Sequence, residues 1–153
     1  MNRFKPLVIL GIILCLGICL VHCDKKTGTG NDNQDPEASL VGTWVLTTLT
    51  IPDPDTGDDI TVPASFAGIS MTVVLSANGN VTITVDWGDG EETETGTWTA
   101  TATTLTMNLT GETVVVPYTL TGNTLTLAIT MEIDWDGDGI EEESTITMTF
   151  TKQ

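Results

Sequence analysis

Thr124-Leu125-Thr126-Leu127-Ala128-Ile129-Thr130-Met131-Glu132-Ile133 sets apolar residues at every second position. Successive side chains of a strand point to opposite faces, so this spacing builds a ribbon with Leu125, Leu127, Ile129, Met131 and Ile133 on a dry face and mostly threonine on a wet one. The same cadence runs through Val81-Ile83-Val85, Leu105-Met107-Leu109 and Ile146-Met148-Phe150. The chain holds 30 threonines, whose branched Cβ suits a pleated surface and whose hydroxyl meets water. Turn signals at Asn78-Gly79, Gly88-Asp89-Gly90, Gly111, Gly122-Asn123 and Gly137-Asp138-Gly139 separate the runs. Strands are therefore expected at about 40–50, 69–77, 80–87, 92–100, 103–109, 113–120, 123–134 and 141–151.

Eight consecutive strands with short connections point to an all-β, antiparallel up-and-down barrel, which removes exposed edges by closing on itself. A β-sandwich of immunoglobulin type is the alternative, but its crossovers need longer connections. The single long connection, Ile51 to Gly68, follows the first strand and contains Pro63-Ala64-Ser65-Phe66-Ala67-Gly68, the one stretch suited to a short helical turn.

Ahead of the strands, residues 1–22 read as a signal segment: Arg3 and Lys5 precede an apolar run from Leu7 to Val21 that is too short for a spanning helix. Leu20-Val21-His22-Cys23 resembles the lipobox of bacterial lipoproteins, which implies cleavage before Cys23, acylation of that cysteine and an exported protein anchored to the cell envelope. An ordinary signal peptide or an uncleaved anchor is the alternative. All three cysteines lie at or before position 23, so the exported domain would stand without disulfides. Residues 23–39 are polar and without periodicity and read as a flexible tether, leaving 40–153 as the folded domain.

Charge narrows the partners. The chain carries 21 acidic against 5 basic residues, a net −16. Removal of the signal segment would leave Lys25, Lys26 and Lys152 as the cations and take away the single Arg and the single His. No basic face remains for nucleic acid, no imidazole for a nucleophile or a zinc ion, and no guanidinium for a phosphate. Carboxylates alone can run glycoside hydrolysis, but these acids sit on turns, and the expectation is a non-enzymatic, monomeric protein.

Leu40-Val41-Gly42-Thr43-Trp44 resembles the Gly-x-Trp opening of lipocalins. Gly96-Thr97-Trp98, Leu105-Thr106-Met107 and Gly122-Asn123-Thr124-Leu125-Thr126-Leu127 resemble the cadence of the lipocalin-like domains of bacterial lipoproteins. The resemblance spans about residues 39–151 and implies a ligand-binding barrel whose first long loop serves as a lid. The arginine that packs on the Gly-x-Trp tryptophan in lipocalins has no counterpart here.

Up-and-down topology also sorts the acids. Alternate connections share one end of a barrel, and all seventeen acids from residue 40 onward fall in the set at one pole, while the turns at the other pole carry no charge. The plain explanation is a solubilising surface. Two acidic hairpins share a design: Val85-Asp86-Trp87-Gly88-Asp89-Gly90 parallels Ile133-Asp134-Trp135-Asp136-Gly137-Asp138-Gly139. The period of two turns Trp87 and Trp135 inward at the rim, either to close the core or to meet a ligand, with Phe66 and Met131 as further candidates at the mouth. Asp134, Asp136 and Asp138 match the first half of a calcium loop, with Glu142 as a further oxygen donor, but Thr145 stands where the closing Glu belongs. No cofactor is required; calcium is the one candidate. The expected function is a lipid-anchored envelope protein binding a small apolar ligand, and the alternative is a structural lipoprotein using its acidic pole.

Overall fold

A computed structural model describes residues 36–53, 58–133 and 142–153. Helix α1 (Pro36–Leu40) is followed by strands β1 (Gly42–Pro52), β2 (Asp59–Pro63), β3 (Ser70–Leu75), β4 (Asn80–Asp86), β5 (Glu91–Ala100), β6 (Thr104–Leu109), β7 (Glu112–Thr121), β8 (Thr124–Ile133) and β9 (Glu142–Lys152). Every pairing is antiparallel between neighbours, and β1 pairs with β9, so eight strands close into an up-and-down barrel, not a sandwich.

The ninth strand is β2. The connection expected to be a long loop instead folds back, and β2 pairs with the far half of β1 from Thr48 to Pro52, while β3 takes the near half of the same edge from Gly42 to Val45. A turn over 64–68 joins them, tied by Ala67 N–H to Pro63 O and Ile69 N–H to Ala64 O. The resulting hairpin is exposed along β2, with Ile60 among its open side chains.

The start of the domain also differs from expectation. Residues 36–39, assigned to the tether, form α1 with Leu40. Proline fits the first helical position because its missing N–H would have no partner there, and buried Leu40 pins the turn to the core. Glu37 accepts a hydrogen bond from Ala100 N–H at 3.2 Å, which ties α1 to the end of β5.

Strand β1 breaks the two-residue rhythm for a physical reason. Its register with β9 shifts between Leu46 and Thr48, an extra residue that resets which face each side chain takes. Leu46 and Leu49, three apart, both turn inward as a result, and Thr47 Oγ1 donates to Thr149 O at 2.9 Å.

Packing is graded along the axis. At the pole with the uncharged turns Trp44, Leu75, Val81, Leu105, Leu125 and Phe150 are essentially inaccessible, and Leu40 closes the end over them. Moving up the same strands, Met71, Ile83, Leu109, Ile129 and Ile146 are only half-buried. The barrel is thus solid at one end and loosely filled at the other. All acids of the described strands and turns lie at the loosely filled end, and Glu37 on α1 is the exception.

Candidate functional site: the open end of the barrel

The loosely filled end encloses a cavity of about 280 Å³. Leu46 and Leu49 of β1, Met71 and Val73 of β3, Ile83 and Val85 of β4, Met107 and Leu109 of β6, Val114 of β7, Leu127 and Ile129 of β8 and Met148 of β9 form its wall. An eight-stranded barrel lies at the size where side chains either fill the interior or leave room for one small ligand. Here tryptophans fill the lower half, and Ile, Val, Leu and Met leave the upper half open.

Polar groups enter at one side. Strand β5 points Glu92, Glu94, Gly96 and Trp98 along one face, and Glu92 and Glu94 line the cavity beside Thr93. Gly96 is where this strand turns away from its neighbour. A Cβ there would lie 2.0 Å from Asn108 O, and pairing of β5 with β6 begins only at Thr97–Asn108. Residues 91–95 of β5 therefore rise past the short β6–β7 hairpin, whose turn is Thr110-Gly111. Glu112, at the tip of that hairpin, has its carboxyl held above the usual range by burial and by the negative charge of Glu94.

Trp87 also lines the cavity, continuing inward the face set by Ile83 and Val85. Its environment differs from that of the tryptophans below. Trp44 Nε1 donates to Leu40 O at 2.7 Å and Trp98 Nε1 to Ser76 O at 3.0 Å. Trp87 Nε1 is buried with no acceptor among the described residues. A buried indole N–H ordinarily finds one, and this one stands unsatisfied in the cavity wall.

The other candidate residues fall elsewhere. Met131 is buried on β8 but lines a second void in the barrel wall and not the cavity. Phe66, expected at the mouth, is 84% exposed in the turn before β3 and takes no part in the cavity lining. Turn residues obey no two-residue alternation, so no spacing fixes the face that Phe66 takes. Trp135, Asp134, Asp136 and Asp138 lie outside the described residues, as do Cys23 and the signal segment, and Glu142 is described only as the first residue of β9. Among the described residues no group of three Asp, Glu, His or Cys is arranged to hold a metal ion. Sequence reasoning missed Glu92 and Glu94 as lining groups, although they stand six and four residues before Trp98, in phase with its period of two.

The Gly-x-Trp tryptophan carries a cation from the far end of the chain. Lys152 Nζ lies 5.1 Å from the centre of the Trp44 ring and donates to Ser39 O at 3.3 Å. The family model described as a lipocalin-like domain matches residues 40–127, from the end of α1 to the middle of β8. No curated protein matches the chain. With more than half of its 153 residues matched and an eight-stranded up-and-down barrel, the chain belongs to the lipocalin-like domain family.

Proposed function

We propose that the domain binds a small, largely apolar ligand carrying a hydrogen-bond acceptor, and that it does so as a monomeric, lipid-anchored protein of the bacterial cell envelope. The observation that carries the reading is the 280 Å³ apolar cavity with a buried donor in its wall, Trp87 Nε1, that has no partner among the described residues. Satisfying such a donor recovers a penalty of about 1–3 kcal/mol, so a hydroxyl or carbonyl on an otherwise apolar ligand gains both orientation and affinity. Glu92 and Glu94 at the cavity disfavour a carboxylate there, since like charges repel across a partly desolvated site. The role is binding without catalysis.

Octanol, which pairs one hydroxyl with a short hydrocarbon chain, is the simplest probe. Native mass spectrometry and calorimetric titration of the full chain are expected to show one octanol retained per protein. A folded protein that retains none overturns the binding role. Anchoring is tested separately by metabolic labelling with palmitate, which is expected to mark the protein and to fail in Cys23→Ser.

A further inference from the structure

The barrel wall is incomplete between β7 and β8. Their ladder joins Thr121–Thr124, Leu120–Leu125, Thr119–Thr126 and Tyr118–Leu127 and then stops, although β7 continues down to Glu112 and β8 up to Ile133. Strand alternation explains where it stops. Tyr118 N–H donates to Thr103 O beside β6, so the backbone groups of its neighbour, residue 117, face β8. That neighbour is Pro117, which has no N–H to give to Ala128, its counterpart in register.

Beyond this point lies a slot of about 510 Å³, flanked by Val115 and Pro117 on one lip and Ala128 and Thr130 on the other. Val115 is 38% exposed there, an open apolar side chain on an otherwise threonine-rich outer surface. Val114 and Ile129 line both the slot and the interior cavity, one from each lip, so the two voids share these side chains as their common wall. The cavity alone is slightly smaller than the roughly 300–1,000 Å³ of usual small-molecule sites, and the slot lies directly across this shared wall.

We infer that the β7–β8 gap is a lateral opening, and that the ligand is an elongated, uncharged hydrocarbon chain lying partly in the cavity and partly in the slot. The inference rests on the binding role proposed above and adds the shape of the ligand and its route. A hydrocarbon chain fits this path better than a peptide strand. A strand entering the cavity would bury backbone groups without partners, and Pro117 withdraws a donor that such a strand would need. Glu132 and Glu143, exposed and paired directly across β8 and β9 at the far end of the slot, set an acidic border that an anionic chain end would have to pass.

The test compares octanol with tetradecanol on the full chain, by displacement of an environment-sensitive dye. Pro117→Val restores the N–H that lets the two strands zip, and Ala128→Trp fills the slot from outside while leaving the ladder as it is. Wild-type protein is expected to bind tetradecanol at least about tenfold more tightly than octanol, the longer chain burying more apolar surface. Each variant, checked for folding by circular dichroism, is expected to lose most of that advantage and keep its octanol affinity. Folded variants with wild-type tetradecanol affinity overturn the inference, as does wild-type protein that binds both alcohols equally or that dimerises through the gap. Wild-type protein that binds neither alcohol overturns the binding role itself.

Discussion

Lys152, the last residue of β9, lays its side chain across Gly42 and brings Nζ to 5.1 Å from the ring centre of Trp44. The three residues form one device at the closed pole. Gly42 has a φ of +150° and a Cβ there would meet Lys152 Cε at 2.5 Å, so glycine both permits the backbone turn out of α1 and leaves the lane for the lysine stem. Trp44 provides the ring face, and Leu40 and Ser39 provide carbonyls for the indole N–H and the ammonium. A cation is thus delivered to Trp44 from the other end of the chain, across the β1–β9 seam that closes the barrel.

Removing the charge while keeping the stem isolates the cation. Lys152→Met is expected to lower unfolding free energy by about 1 kcal/mol, the scale of a partly shielded cation–π contact. Gly42→Ala should cost more, because it adds backbone strain to the displacement of Lys152. In a Lys152→Ala background the displacement disappears and the cost of Gly42→Ala should shrink, a coupling that urea denaturation of the four proteins in the cycle would reveal.

Gly96→Ala is expected to be worse and to resist rescue. The intruding atom there is a backbone oxygen, Asn108 O at 2.0 Å from the added Cβ, and backbone cannot swing aside as a lysine stem can. A loss of about 3 kcal/mol, the upper end of the usual cost of overpacking, is expected. Thermal melts should show it, and Asn108→Ala should not restore the lost stability.

Much of this architecture is legible in residue order. The runs from Val81, Leu105, Leu125 and Ile146 declare their buried faces because each strand has one wet side, and the Gly-bearing turns mark where they end. Three features are hidden. The bulge at Thr47 hides the inward pairing of Leu46 with Leu49, since periodicity is lost where register shifts. Strand β2 is exposed and lacks the buried alternation that reveals its neighbours. At the site, Trp87 could be placed inward from Val85, but its unpartnered N–H and the gap at Pro117 depend on distances between strands, which no spacing encodes.

Trp87→Phe keeps an aromatic ring in the cavity wall and removes the orphaned donor. Without ligand the variant is expected to be as stable as wild type or up to about 1 kcal/mol more stable, since a buried unsatisfied group is deleted. Its affinity for octanol should fall about 5- to 30-fold, while affinity for octane, which has no acceptor, should hold. Equal losses for both probes would assign Trp87 a packing role only.

The pH dependence of stability should carry the mark of Glu112. Its carboxyl titrates above the ordinary glutamate value because burial and the charge of Glu94 both penalise the ionised form. A group raised in the folded state favours folding while protonated; that contribution is present below its unfolded pKa and is lost as pH climbs through the folded one. Glu112→Gln should therefore match wild type in melting temperature at strongly acid pH and exceed it at neutral pH, by about 1–2 °C given how weakly solvent-screened carboxylates interact. Glu94→Gln should produce part of the same gain by removing the repelling charge. If the Glu112→Gln difference is instead constant across the titration, the carboxyl is not repelled in the folded state, and the crowding of acids at the tip of the β6–β7 hairpin has no energetic consequence.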